Sequence, residues 1–400
     1  MSAGPGASLF TAFVIAGEES GDQLGAGLMR ALAERLGDRI RFLGVGGGRM
    51  ARLGLKSLFP MEDISHHGIM AVVANAPRVL ARIRETSAAI LAAKPDVVVL
   101  IDCPGFNLRV GRKVRDRDPA IPIVDYVSPS VWAYAPGRAR RMARFVDQIL
   151  AILPFEPAVH RELGGPPCAY VGHPLIERLA ELRPAEGERR RLSSVERPML
   201  LVLPGSRRTE IKRLMKPFGE TLGLVVERAG PLDIVLPAVP HLLAEIRAAA
   251  AEWPVKVRIV EGEEAKFAAF RRAHAALAAS GTVTLELALS GVPMVVAYRI
   301  EPLVRPLTPF MRAKSIVLAN LVIDANVVPE FVNAASTPQR LAEALLPLLG
   351  DTPERRTQLA AFARLDMLMS LGDATPSGRA ADLVLETVRS HRLHAALGRG

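Results

Sequence analysis

Residues 97–101, Val-Val-Val-Leu-Ile, are apolar at every position. A strand with one wet face alternates apolar and polar side chains. An unbroken run therefore predicts a strand covered on both faces, as in a parallel sheet flanked by helices. Around it the first half of the chain alternates further strand patterns at 9–16, 41–45, 121–127 and 148–152 with helical ones, an amphipathic helix at 22–36 being the clearest. A charged stretch between 179 and 198, including Glu188-Arg189-Arg190-Arg191, shows no buried pattern and reads as a linker or loosely packed helix. The alternation then restarts, with strands at 199–203, 234–236, 255–260, 275–278 and 294–296 and helices at 209–227 and 241–252. Residues 338–392 are mostly helical in pattern. Two βαβ series predict an α/β protein of two Rossmann-like doubly wound domains facing across a cleft. The expected domains are 1–185 and 198–365, with C-terminal helices at 366–400 packing back on the first.

The length of 400 residues suits two domains, and 50% hydrophobic against 23% charged residues is enough to fill their cores. Fifty-one Lys and Arg against 41 Asp and Glu leave a net charge of +10, which favours an anionic partner: nucleic acid, a phosphorylated substrate or an acidic membrane surface. Aromatic residues make up only 5%, which argues against a base-stacking platform and so against nucleic acid. Two cysteines, Cys103 and Cys168, cannot make a disulfide scaffold, and a reducing compartment is expected. The apolar stretch from Leu9 has no Lys or Arg before it and is followed by Glu18, Glu19 and Asp22, unlike a signal peptide. No apolar run approaches the roughly 18 residues of a membrane span. The expected location is cytoplasmic, with any membrane contact peripheral. Segment 69–91 mixes apolar residues with Arg78, Arg82 and Arg84, and reads either as a helix lying on a membrane or as a core-facing helix.

Several strand-to-helix turns carry groups suited to chemistry. After 199–203 come Pro204-Gly205-Ser206-Arg207, where Gly205 allows close backbone approach, Ser206 donates and Arg207 can fork onto a pyrophosphate. The alternative is a capped helix start beside a solvated Arg pair. Ser280-Gly281-Thr282 follows another strand and can cradle a phosphate, and Glu286 one turn on can accept both hydroxyls of a ribose or merely complement the helix dipole. Together the two loops indicate nucleotide binding. In the first half, Ala16-Gly17-Glu18-Glu19-Ser20-Gly21-Asp22 is a further turn of this kind but lacks dinucleotide-fold glycine spacing and a Walker lysine. Asp102, at the tip of the all-apolar strand, suits a general base or a helix N-cap. Asp125-Tyr126-Val127-Ser128-Pro129-Ser130-Val131-Trp132-Ala133-Tyr134 joins turn residues to large aromatics at a strand end, a surface for a sugar or acyl chain unless Trp132 is core. His173 stands at another strand end, structural or catalytic. His66 and His67 are adjacent and point apart, and no metal site is expected.

Read in order, these motifs, with Leu153-Pro154-Phe155-Glu156 and Gly172-His173-Pro174, resemble the lipid-A-disaccharide synthase family, bacterial glycosyltransferases of GT-B type. The resemblance implies an acceptor- and lipid-binding first domain and a UDP-sugar-binding second one. It implies inverting transfer of diacylglucosamine from UDP-2,3-diacylglucosamine to 2,3-diacylglucosamine 1-phosphate (lipid X), giving a β-1,6-linked disaccharide and UDP. Asp102 then matches the base; Arg207 and Asn320 match positions associated with UDP, completed by Gly205, Ser206, Ser280, Gly281, Thr282 and Glu286. Ser20, Gly21, Asp22, Ser128, Ser130, Trp132 and His173 fall on the acceptor side. No cofactor or metal is implied. The family also implies peripheral contact with the anionic inner face of the inner membrane and a homodimer with exchanged C-terminal parts. A UDP-sugar epimerase of the same fold and a non-catalytic basic lipid-binding protein are the alternatives. The chain departs from the family pattern at Tyr134-Ala135, where many relatives have Trp-Arg, at Gly105 in place of a frequent Asp, and at Ala319 in place of Pro.

Overall fold

The computed structural model describes residues 9–65, 75–300 and 313–397. The chain divides into two compact units, Met1–Pro174 with Leu371–Gly400, and Leu175–Ser370. In the first unit the strands are β1 (Phe10–Ala16), β2 (Ile40–Val45), β3 (Val97–Ile101), β4 (Ile123–Tyr126), β5 (Gln148–Ala151) and β6 (Cys168–Tyr170). They form one parallel sheet in the order β2-β1-β3-β4-β5-β6. Val14, Val99 and Tyr126 face Leu28, Met29 and Leu32 of the Glu19–Leu36 helix together with Ala380, Ala381, Val384 and Val388 of the Pro376–Leu397 helix. Phe13, Val98 and Leu100 face Ile83 and Ile90 of the Ala76–Ala93 helix and Val110 and Val114 of the Pro104–Arg115 helix. All five residues of β3 are therefore buried, which is why its sequence carries no alternation.

The second unit holds β7 (Met199–Leu203), β8 (Asp233–Ala238), β9 (Arg258–Glu261), β10 (Ala275–Ala279), β11 (Met294–Tyr298) and β12 (Glu330–Val332), again parallel, in the order β12-β11-β10-β7-β8-β9. Each sheet is wound outward in two directions. The switch falls between β1 and β3 in the first unit and between β7 and β10 in the second. In open α/β sheets the carboxyl ends of strands beside such a switch form the ligand crevice.

The charged stretch expected to link two domains is instead an integral part of the second unit. Arg189 threads into it and donates to the carbonyls of Phe270, Arg271, Ser290 and Gly291 at 2.6–3.1 Å. The first boundary thus falls at 174 rather than 185, and the chain returns to the first unit at Leu371. There the Pro376–Leu397 helix lies against Glu19–Leu36, with Arg35 paired to Asp382 at 2.6 Å. The edge strand β12 was not foreseen, and β6 was implied only by the strand end before His173; each has three residues, too few to show a period.

Of segment 69–91, residues 69–74 lie outside the described residues, as do His66 and His67. The described part is a core-facing helix, burying Ile83, Thr86, Ser87 and Ile90, with Arg82 held by Asp63 at 2.6 Å. Among the described residues, no helix is long and apolar enough to cross a membrane.

Candidate functional site

At the switch of the second sheet the loops after β7 and β10 stand side by side, because those strands are paired neighbours. Between them lies a cavity of about 340 Å³. Its lining includes Gly205, Ser206 and Arg207 from the first loop, and Ser280, Gly281, Thr282 and Glu286 from the second. The structure thus brings together every residue of the two loops expected to bind nucleotide.

The chemistry of the first loop differs from expectation. Glu210, on the first turn of the Arg208–Ala229 helix, folds its carboxylate back to accept from the N–H groups of Ser206 (3.0 Å) and Arg207 (3.2 Å). Those amides were expected to face a phosphate; here an internal anion satisfies them, as the glutamate of a capping box does. Gly205 makes room for it: at φ 115°, an added Cβ would stand 2.4 Å from a Glu210 carboxylate oxygen. The group left for a ligand is the Arg207 guanidinium, 59% exposed and only loosely paired with Glu210 at 3.5 Å. In the second loop the Ser280 hydroxyl donates to the carbonyl of Ile316 at 2.6 Å and is not a free donor.

Glu286 does have the partner a part-buried carboxylate requires. Lys266, from the Glu263–Arg272 helix, lines the same cavity and donates to both carboxylate oxygens at 3.1 and 3.0 Å. Sequence reasoning missed Lys266, since no spacing rule ties residues 20 apart on different helices. Asn320 is not among the cavity's lining residues. Its side chain is 2% exposed, accepts from the N–H groups of Val327 and Val328 and donates to Ser315 Oγ and the Val328 carbonyl. With its donors and acceptor engaged, it pins its own loop rather than presenting its amide to a nucleotide.

In the first unit, Asp102 stands at the carboxyl end of β3, beside the sheet's switch and partly exposed. It has φ 52°, followed by Cys103 at 46°, and Val127 after β4 has φ 78°. Such left-handed conformations cost non-glycine residues about 1–3 kcal/mol each and cluster at functional sites. They are held by backbone ties. The Asp102 N–H donates to the Tyr126 carbonyl at 2.9 Å, and the Asn107 amide donates to the carbonyls of Ile101 (3.0 Å) and Asp102 (2.7 Å). Gly17, after β1, permits the loops to touch: an added Cβ would lie 2.6 Å from the Cβ of Cys103. Beside this point is an apolar cavity of about 170 Å³ lined by Ile64, Val79, Cys103 and Phe106, with Glu18 and Arg109. Burial pushes the Cys103 thiol up to about 12, so it remains unreactive at neutral pH.

Of the residues placed on the acceptor side, Ser20 is exposed and Ser130 and Trp132 are partly so. Asp22 is a correction. It is fully buried, and its carboxylate accepts from the N–H groups of Gly47 and Arg49 at 2.8 Å and of Met50 at 3.1 Å, capping the following helical turn. Gly21 and His173 are also buried, and burial lowers His173 to about 4. Ser128 is 4% exposed and bonds His160 Nε2 at 2.7 Å. Trp132 donates its indole N–H to Glu156 at 3.3 Å and meets Phe155 edge-on at 5.5 Å. Glu156 also accepts from the Leu153 N–H, and burial pushes its carboxyl up to about 8. Asp125, on β4, is pushed well above its ordinary value by burial and then by the charges of Asp102 and Glu156. His160 gave no sequence signal, Asp125 appeared only as the first residue of the aromatic stretch, and Glu156 appeared only within a family motif.

Among the described residues no group of three or more His, Cys, Asp or Glu side chains is placed to hold a metal ion. The family model described as Lipid-A-disaccharide synthetase matches residues 12–372. Lipid-A-disaccharide synthase of Nitrobacter hamburgensis is 57% identical over 383 residues, covering 95% of this chain and 96% of that protein. The synthases of Bradyrhizobium diazoefficiens (56%, covering 95% and 97%) and Rhodospirillum centenum (43%, covering 94% and 94%) are similar over the same extent. In fold the chain is similar to the UDP-GlcNAc 2-epimerase of Neisseria meningitidis bound to UDP-GlcNAc, with TM-score 0.59 at 13% identity, covering 95% and 100%. It is similar also to MurG of Acinetobacter baumannii, with TM-score 0.55 at 16% identity, covering 94% and 99%. With two six-stranded parallel sheets and near-complete alignment to the synthases, the chain belongs to the lipid-A-disaccharide synthase family, glycosyltransferases of lipid A biosynthesis with the GT-B fold.

Proposed function

We propose that the chain transfers the diacylglucosaminyl group of UDP-2,3-diacylglucosamine to the primary hydroxyl of 2,3-diacylglucosamine 1-phosphate, forming a β-1,6 bond and UDP. The observation that carries the reading is the second unit's cavity, where family motifs converge on one exposed guanidinium and one paired carboxylate. Arg207 neutralises the departing diphosphate with charge-assisted hydrogen bonds, and Glu286 accepts from the ribose hydroxyls. Gly205, Ser206, Gly281 and Thr282 shape the walls. In the first unit Asp102 accepts the acceptor's hydroxyl proton as its oxygen attacks the anomeric carbon. The carbon–oxygen bond to UDP breaks on the opposite face, its electron pair leaving with the diphosphate, and configuration inverts. No metal is required in this scheme, since the Arg207 guanidinium brings cationic charge to the diphosphate. Ser20, Ser130 and Trp132 border the acceptor.

The +10 net charge supports peripheral binding to the anionic cytoplasmic face of the inner membrane, where both lipid substrates reside. Binding to acidic vesicles should then weaken as salt rises; salt-independent binding would leave apolar insertion as its source. The family's exchanged homodimer is carried over as part of the reading, and light scattering reports it directly.

The test supplies purified protein with both lipid substrates and follows UDP and disaccharide together. Equimolar appearance of the two is expected. Asp102→Asn should lower turnover about 10²–10⁴-fold, with UDP affinity within several-fold of the parent. UDP release without disaccharide, or full activity in Asp102→Asn, would refute the transfer or the base respectively.

A further inference from the structure

Lys266 and Glu286 form the most fully paired acid and base in the nucleotide cavity, and neither is fully exposed: 25% for the lysine side chain and 13% for the glutamate. The ammonium lies at nearly equal distance from the two carboxylate oxygens, 3.1 and 3.0 Å. That bidentate contact fixes the rotation of the carboxylate plane. The lysine takes the inward lone pair of each oxygen and leaves the outward ones, which diverge, so each oxygen can accept one further hydroxyl proton.

The lysine is itself anchored. Its Nζ stands 4.7 Å from the ring centre of Phe267 and 5.7 Å from that of Phe270, and both rings are almost wholly buried. A cation held over aromatic faces loses little further freedom when a ligand arrives. The second acid of the cavity, Glu210, is already committed to the Ser206 and Arg207 amides. Glu286 is therefore the carboxylate available to a ligand.

We infer that Lys266 is a positioning residue that presents one oxygen of the Glu286 carboxylate to the 2′-hydroxyl of the bound nucleotide, making the cavity selective for ribose over 2′-deoxyribose. The inference rests on the reading of this cavity as the UDP site, and its test separates the two. Full-length protein is titrated calorimetrically with UDP and with 2′-deoxy-UDP.

The parent should prefer UDP by about tenfold to a hundredfold, the worth of one hydrogen bond to a charged acceptor. In Lys266→Met the UDP affinity should fall while that for 2′-deoxy-UDP changes much less, shrinking the preference to about threefold or below. Lys266→Arg, which can still bridge both oxygens, should restore most of it, and Glu286→Gln should lose it as Lys266→Met does. Lys266→Gln, which is uncharged and too short to bridge both oxygens, replaces the Met variant with the same expectation if that one does not fold. Equal loss for both nucleotides in the Met variant would assign Lys266 to the diphosphate and overturn the inference. Unchanged affinities would make the lysine a spectator and overturn it equally. Failure of the parent to bind UDP at all would instead overturn the nucleotide reading of the cavity, and the inference with it.

Discussion

Ser128 and His160 meet at 2.7 Å inside the first unit, and four residues further along the loop Trp132 reaches Glu156, which lies four residues before His160. Since residues four apart share a face of a helix, the Glu156–Glu162 helix fastens the Ser128–Ala133 loop at two points with one face. Both fasteners are buried titratable groups. The Ser128–Ala133 loop is thereby tied to two groups whose titration is shifted by burial.

The pH prediction follows from the direction of each shift. Glu156 rises from 4.5 to about 8, so its contribution to stability is full below 4.5 and is lost as pH climbs through 8. Asp125 acts in the same sense. His160 falls from 6.5 to about 4, so its contribution is lost as pH drops from 6.5 through 4, and His173 behaves alike. Melting temperature should therefore decline on both sides of a maximum. Glu156→Gln should flatten the alkaline side between pH 6 and 8.5 relative to the parent; parallel curves for the two proteins would remove Glu156 from this role.

Arg207 and Asp22 separate binding from structure. Arg207→Ala removes an exposed guanidinium with one long ion pair, and its unfolding free energy should stay within about 0.5 kcal/mol of the parent. UDP affinity should fall about tenfold to a hundredfold, as expected for a charge-assisted contact. A fall below threefold in titration would deny it a phosphate.

Asp22→Ala should show the reverse. Three buried amides lose one carboxylate, and stability should drop by roughly 2–4 kcal/mol. At a temperature where the variant is folded, the KM for the acceptor should remain within about twofold. A large KM effect in folded protein would return Asp22 to the acceptor.

Arg189→Leu tests whether the charged stretch is structural. Four carbonyls would lose their shared donor, and burial already lowers this guanidinium to about 10, a sign of strong desolvation. The urea midpoint should shift by an amount equal to about 2–4 kcal/mol. A midpoint matching the parent would restore the linker reading.

The legible parts of the fold are those where burial writes a period or abolishes one. Val97 to Ile101 advertised a two-sided strand because every side chain there is covered, and the restart at Met199 marked a second sheet. The glycine and hydroxyl turns after β7 and β10 were readable because strand ends beside a switch demand small residues. What the sequence did not disclose were pairings made through the backbone. Arg189 looked solvated because its partners are carbonyls, which have no letter. Asp22 and Asn320 looked like ligands because a motif does not say which way a side chain points, and both turn inward to nearby amides. Lys266 is invisible until its helix is laid beside that of Glu286.

The discontinuity of the first unit has a consequence for how the molecule is made. A ribosome delivers residues 175–370 before the closing helix, so Leu28 and Leu32 wait without Val384 and Val388 while the intervening unit, a continuous stretch, is already free to fold. The nascent first sheet is left with a wet seam along its first helix until the last helix emerges. Premature termination before Pro376 would thus produce a chain whose second unit is complete and whose first is open, a species that quality-control proteases and chaperones recognise by its apolar surface.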